Sequence, residues 1–246
     1  MRSLVAAYAC RAQGSRLYGK PLQNLDIEKG VTILDHMIEL TQSIQSIDDI
    51  VLGVSEGKMN KPFFDVASRY KIPAILGSEK DVLKRLILCG LEVNGTDVFR
   101  VTTECPFFIY DMVDAAWEAH VKNGNDVTVV DGLPEGAFFE IYTLEALERS
   151  HELGEDKHRS EFCSLYIREH LEDFKIEVLP IPSELERMDI RLTVDYPEDL
   201  ILCRAIYEHF KALVPRIPIG DIISYVDTRP DLKKLIEPFI VPERLW

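Results

Sequence analysis

Apolar runs of strand length alternate with amphipathic segments of helix length from Leu4 to Val130, and this rhythm limits the folds open to the chain more than any other feature. Leu4–Cys10 reads as a buried strand and Thr32–Ser43 as a helix. Asp49–Val54 and Pro73–Leu76 read as strands, separated by a helix over Lys61–Tyr70. A helix over Glu79–Leu91 leads to a strand at Asp97–Thr102, then a helix over Tyr110–Lys122, then a strand at Asp126–Val130. Strands separated by helices pair in parallel, with the helices packed on the sheet faces. The pattern predicts an α/β fold: a mostly parallel sheet with helices on both faces. Ligands in such sheets bind beyond the carboxyl ends of the strands.

After residue 131 the rhythm loosens. Ala137–Tyr142 reads as a strand, Leu144–His151 and Ser160–His170 as helices, and Lys175–Ile181 as a strand. Ile190–Val194 is a further short strand, followed by a helix over Pro197–Phe210. No repeat, low-complexity segment or linker divides the 246 residues, so a single domain over 1–246 is expected. Residues 131–190 are expected to form an insertion over the functional edge, serving the acceptor side or dimerisation. The tail Val214–Trp246 carries several prolines and a late apolar stretch (Phe239, Ile240, Val241, Leu245, Trp246). It packs either on its own domain or on a neighbouring subunit.

The formal net charge of −14 argues against non-specific nucleic-acid binding, because a phosphate backbone repels such a surface. Against this background the start of the chain stands out. No acid precedes Asp26, while Arg2, Arg11, Arg16 and Lys20 are all basic. Those four leave 24 of the 28 basic residues for the remainder, against all 42 acids, a net of −18. The five cysteines, Cys10, Cys89, Cys105, Cys163 and Cys203, are widely spaced with no CxxC, which predicts reduced thiols in a cytoplasmic protein. The first apolar run is too short to span a membrane and lacks signal-peptide flanks, so neither membrane insertion nor secretion is expected.

The first strand runs into Arg11-Ala-Gln-Gly-Ser-Arg-Leu-Tyr-Gly-Lys-Pro-Leu22. Gly14 and Gly19 permit tight turns, and Arg11, Ser15, Arg16 and Lys20 supply donors to an anion. A polyphosphate is the natural ligand for this loop. Neither GxxxxGK[ST] nor GxGxxG is present. Two further segments place an acid at a strand end: Arg100-Val-Thr-Thr-Glu-Cys-Pro106, with Glu104, and Leu192-Thr-Val-Asp-Tyr-Pro-Glu-Asp-Leu200, with Asp195. Two such carboxylates, with phosphate oxygens and water, make a usual Mg²⁺ site. Asp195 has a plainer role open to it as a helix cap, since Pro197 marks a helix start. Glu104 has one as an exposed loop acid.

These segments, with Gly77-Ser-Glu-Lys-Asp-Val-Leu-Lys-Arg85, resemble in order those of the cytidylyltransferases that activate acidic sugars, from about residue 4 to 208. The resemblance is to the CMP-Kdo and CMP-sialic acid synthetases, and most closely to the spore-coat polysaccharide cytidylyltransferase-like proteins. It implies a nucleotide-diphospho-sugar transferase (Rossmann-like) fold with a mixed, mostly parallel sheet, CTP as donor, Mg²⁺ as cofactor, and a homodimer. By position it implies that Arg11, Ser15, Arg16 and Lys20 hold the triphosphate, with Arg11, Arg16 and Lys20 catalytic. It also implies that Arg85 and Arg100 lie on the nucleotide side and that Asp195 and Glu104 hold the metal. Glu104 departs from the family's usual Asp. Glu135 and Glu140, in a segment resembling the acceptor-side strand, and Arg159 are candidate acceptor contacts.

The reaction implied is transfer of CMP from CTP to a small anionic acceptor, an acidic sugar, with release of pyrophosphate. Two other readings stand beside it. One is a nucleotidyltransferase acting on a sugar-1-phosphate, a phosphonate or another phosphorylated metabolite. The other is an inactive nucleotide-binding or interaction subunit.

Overall fold

The computed structural model describes residues 2–160, 162–241, 244 and 246. Its elements in chain order begin with β1 (Leu4–Cys10), β2 (Asn24–Asp26), β3 (Val31–Thr32), α1 (Ile33–Gln42), β4 (Ile47–Ser55), α2 (Lys61–Tyr70) and β5 (Ala74–Gly77). There follow α3 (Val82–Glu92), β6 (Asp97–Arg100), α4 (Val113–Asn123), β7 (Val127–Val130), β8 (Glu140–Thr143) and α5 (Leu144–Leu153). The chain continues through α6 (Leu165–Glu169), β9 (Ile176–Leu179), α7 (Pro197–His209), α8 (Ile219–Asp227) and α9 (Pro230–Ile236).

Among the described residues seven strands form one sheet in the order β5-β4-β1-β6-β8-β7-β9, and β2 pairs with β3 in a separate ribbon. The pairs β4–β5, β1–β4, β1–β6 and β7–β9 are parallel, as the alternation of strand and helix requires. Only β8 runs against its neighbours, β6 and β7. The connection from β7 to β8, residues 131–139, is shorter than the dozen or so residues that a parallel crossover takes. A return stroke is therefore the only pairing open to it.

β1 shows why both faces are covered. Leu4, Ala6, Tyr8 and Cys10 point into one apolar cluster, and Val5 and Ala7 into the other. Successive side chains of a strand face opposite ways, so a strand apolar on both faces needs cover on both. Leu34 of α1, Phe63 of α2, Val113 of α4 and Leu202 of α7 supply one layer. Leu83 and Leu86 of α3, Leu147 of α5 and Ile167 of α6 supply the other. The helix starts follow local chemistry: the Thr32 hydroxyl accepts from the Asp35 amide at 3.1 Å, and the Asp81 carboxylate from the Lys84 amide at 2.8 Å.

Two segments differ from the sequence reading. Ile190–Val194 is not a sheet strand. Ile190, Leu192 and Val194 are fully buried, which accounts for the alternating pattern. The backbone bonds of this segment, however, go to loops: Glu135 N to Ile190 O at 3.0 Å, Leu192 N to Glu135 O at 2.7 Å, and Val194 N to Glu104 O at 2.8 Å. Burial, not pairing, produced the alternation. The helix expected over Ser160–His170 is confined to α6. The Ser160 hydroxyl bonds Lys157 O and the Ser160 carbonyl takes the Cys163 thiol, so local side-chain bonds compete with helix there.

The tail packs on its own chain. Ile222 and Val226 of α8 and Leu232 and Ile236 of α9 are buried in the main cluster. The Trp246 amide reaches Asp131 Oδ2 at 2.8 Å, and its indole N–H reaches Glu140 Oε1 at 3.0 Å. Leu245 lies outside the described residues. All five cysteines are free and buried, and burial pushes the Cys105 thiol up to about 12 and Cys163 to about 11. Among the described residues no helix is long and apolar enough to cross a membrane.

Candidate active site

The loop after β1 is shaped by its backbone. The Gly19 amide bonds Ala12 O at 2.7 Å, with Gly19 in the left-handed region at φ +61°, a conformation that costs glycine little. The Ala12 amide bonds Asn60 Oδ1 at 2.7 Å, and Asn60 Nδ2 bonds Glu56 O at 3.0 Å. The buried Asn60 thus ties the loop to the end of β4. Lys20 opens a short 3₁₀ turn, Lys20–Leu22, whose start is set by Pro21.

This loop forms one wall of a cavity of about 470 Å³ at the carboxyl ends of β1 and β6. Arg11, Ser15, Arg16 and Lys20 all line it. So do Arg85, Arg100, Glu104, Glu135 and Asp195. Residues that the sequence separates by 91 positions, Glu104 and Asp195, are joined by the Val194–Glu104 backbone bond and face one space. The two carboxylates were expected to meet because each followed a strand of the sheet. That holds for Glu104, which follows β6, but Asp195 arrives on the loop 190–194 that crosses the strand ends.

Asp195 is not the helix cap. Its neighbour Asp199 does that work, with Oδ2 accepting from the amides of both Asp195 and Tyr196 at 2.9 Å. The Asp195 carboxylate is left to face cations. Lys20 Nζ bonds Oδ1, while Oδ2 takes Arg191 at 2.6 Å and Arg16 at 3.3 Å. Burial opposes its ionisation, but Lys20 and then Arg191 outweigh that and hold the carboxyl below its ordinary value. Glu104 is shifted the other way. Burial raises it, Lys20 pulls it back, and the Asp195 charge raises it further. Two mutually repelling carboxylates at one cavity are a donor set that suits a hard divalent cation such as Mg²⁺, with phosphate oxygens and water completing the shell. Among the described residues no group of three or more His, Cys, Asp or Glu side chains could hold a metal alone.

The other residues sort by what they touch. Arg85 is 1% exposed, and its guanidinium donates to Cys10 O at 3.1 Å and Gly53 O at 2.9 Å. It pins the ends of β1 and β4 together at the cavity wall, and burial lowers its pKa. Arg100 also lines the cavity but is ion-paired with Glu140, which holds its pKa up against the effect of burial. Glu140 itself is buried in β8 between Arg100 and Trp246, away from the cavity lining. Arg159 also lies outside the lining, bonded to Asp156 at 3.2 Å and to His151 O and Gly154 O at 3.4 Å. The acceptor-contact expectation therefore finds only Glu135 at the cavity. Burial raises the Glu135 carboxyl although Arg191 opposes it.

Arg191 is the residue that the sequence reading passed over. Its guanidinium, 4% exposed, contacts Glu135, Asp195 and Asp199 at once. The four-residue spacing Arg191, Asp195, Asp199 was the available signal, hidden because 190–194 read as a strand. Phe138, Phe162, Met188 and Val241 add apolar lining, and Arg168 a further cation.

A family model described as cytidylyltransferase matches residues 9–222. An uncharacterized protein of Methanocaldococcus jannaschii is 27% identical over 232 residues, covering 94% of this chain and 93% of that protein. The spore coat polysaccharide biosynthesis protein SpsF of Bacillus subtilis is 26% identical over 235 residues, covering 94% and 97%. Among solved structures, a cytidylyltransferase from Leptospira borgpetersenii superposes with a TM-score of 0.82 at 21% identity, covering 94% of this chain and 95% of that one. A CMP:2-keto-3-deoxy-manno-octonic acid synthetase complexed with CTP superposes with a TM-score of 0.64 at 13% identity, covering 85% and 99%. At these identities the structural likeness speaks to the fold, which is that of nucleotidyltransferases.

Proposed function

Since this chain belongs to the cytidylyltransferase family, we propose that it transfers CMP from CTP to an acidic sugar in a Mg²⁺-dependent reaction that releases pyrophosphate. The observation that carries the reading is one cavity lined by the basic loop and by Glu104 and Asp195 together, with Lys20 and Arg16 against the Asp195 carboxylate. A triphosphate needs several fixed cations and backbone donors, and the loop of Arg11, Ser15, Arg16 and Lys20 offers them. The likeness to a spore-coat polysaccharide biosynthesis protein supports a sugar acceptor. Arg168, which also lines the cavity, supports an anionic one.

In this reading the acceptor hydroxyl attacks the α-phosphate, a new O–P bond forms, and the bond to the β-phosphate breaks with pyrophosphate leaving. Positioning and charge neutralisation carry most of such a reaction. Arg11 and Arg16 hold the triphosphate, and Lys20 meets the charge that grows on the leaving group. Arg85, anchored to the ends of β1 and β4, keeps the wall beneath the nucleotide rigid. Asp195 and Glu104 would hold Mg²⁺, which supplies neutralisation of phosphate charge and a lowered hydroxyl pKa.

The test is CTP consumption and pyrophosphate release with Mg²⁺ against a panel of 2-keto-3-deoxy sugar acids and sugar-1-phosphates, with calorimetric titration of all four triphosphates alongside. Turnover with the sugar acids and tighter binding of Mg·CTP than of Mg·ATP or Mg·GTP are expected. Equal or stronger ATP binding would sink the nucleotide assignment, and turnover confined to sugar-1-phosphates would overturn the acceptor. Glu104→Asp, which brings in the family's usual residue, retains or raises kcat in the same assay. A fall of more than about tenfold would show that the cavity is built around the longer side chain.

A further inference from the structure

Asp195 is held by three cations, and they are not equivalent. Lys20 and Arg16 belong to the loop that, in the proposed function, turns to the triphosphate. Arg191 does not. Its guanidinium is almost wholly buried, with Nε on Asp199 Oδ1 at 3.0 Å, one terminal nitrogen on Glu135, and the other on Asp195 Oδ2 at 2.6 Å. Asp199 is itself fixed, because its second oxygen caps α7 through the Asp195 and Tyr196 amides. The guanidinium is therefore anchored to a helix start, and its planar fork has a set direction. The ring of Tyr196 lies beneath both arginines, 4.9 Å from Arg16 and 6.0 Å from Arg191, and stacks on Phe239 at 4.0 Å.

We infer that Arg191 is a positioning residue: it stays on Asp195 Oδ2 when Arg16 and Lys20 turn to the triphosphate, and so presents Oδ1, the oxygen that Lys20 vacates, to the divalent cation. The inference rests on the proposed function for the cation and the nucleotide, and goes beyond it in assigning the two oxygens and their keeper. Carboxylates that ligate metals are themselves oriented by hydrogen bonds, and loss of such a partner typically weakens metal affinity by about 10–100-fold. Lysine cannot replace arginine here. A single ammonium has no fork with which to span Glu135, Asp195 and Asp199.

The test is Mn²⁺ binding, followed by electron paramagnetic resonance, to the full chain with α,β-methylene-CTP, in wild type and Arg191→Lys. Nucleotide binding without metal is measured by calorimetry in chelator. Arg191→Lys is expected to weaken Mn²⁺ by about 10–100-fold while metal-free nucleotide affinity stays within about threefold. Glu135→Gln, which leaves the Arg191–Asp195 contact in place, is expected to hold Mn²⁺ within about threefold of wild type. Unchanged Mn²⁺ affinity in Arg191→Lys overturns the inference, as does a parallel loss of metal-free nucleotide binding, which marks Arg191 as a general support of the fold. If Arg191→Lys does not fold, Arg191→Gln with Asp199→Asn removes one charge of each sign from the cluster, keeps an oxygen on the α7 amides, and carries the same expectation. A wild type that takes up no Mn²⁺ with the nucleotide overturns the proposed metal site itself, and this inference with it.

Discussion

Asp195→Asn lowers CMP transfer by on the order of 10³-fold and leaves the protein folded. The side chains are nearly the same size, so packing is unchanged. The start of α7 is unaffected, because Asp199 and not Asp195 accepts the amides there. What disappears is one negative charge facing Lys20, Arg16 and Arg191. An amide is a poor ligand for a hard divalent cation and gives the neighbouring cations no counter-charge. The measurement is kcat at saturating CTP and Mg²⁺, with a circular-dichroism melt to confirm the fold. Turnover within a few-fold of wild type would mean that Asp195 serves only to anchor the basic loop.

Lys20→Ala lowers kcat by about 10²-fold or more. Lys20 is held at the head of the 3₁₀ turn with its ammonium at the cavity, on Asp195 Oδ1. In the proposed function it meets from there the charge that develops on the leaving pyrophosphate, and removal of such a group is felt more in the transition state than in ground-state binding. The loss should therefore fall mainly on kcat, with KM for CTP changing less. Metal binding provides a control with the opposite sign. Without Lys20, Asp195 Oδ1 has lost its resting partner, so Mn²⁺ binding in the presence of α,β-methylene-CTP should not weaken. A kcat within a few-fold of wild type would mean that the loop does not cradle the triphosphate.

Much of the framework was legible in the chain because it rests on local rules. β1 and α2 fall on the residues that apolar periodicity marked, and α7 ends within one residue of its expected limit. The basic loop was visible as the acid-free start of an acidic protein, and Glu104 and Asp195 as acids at the ends of apolar runs. Two of the expected acceptor contacts lie away from the cavity lining, held by partners that periodicity does not show. Glu140 reads as an acceptor-side carboxylate, yet Arg100 and Trp246 enclose it in the sheet. Arg159 reads as a candidate acceptor contact, yet its guanidinium bonds Asp156 and Gly154, its own neighbours in the chain.

The sequence by itself determined the class of fold, the covered sheet and the chemical character of the loop after β1. Hydrophobic period and charge are written residue by residue and need no partner to be read. Tertiary structure alone decided how Asp195 is used. The segment 190–194 is apolar enough for a strand, but it crosses the strand ends instead, and that crossing sets Asp195 beside Glu104 and Arg191 against Glu135, Asp195 and Asp199. Which carboxylate caps the helix and which faces the cavity turns on hydrogen bonds that exist only once the loops meet. Their energies depend on distance and burial, which the order of residues does not contain.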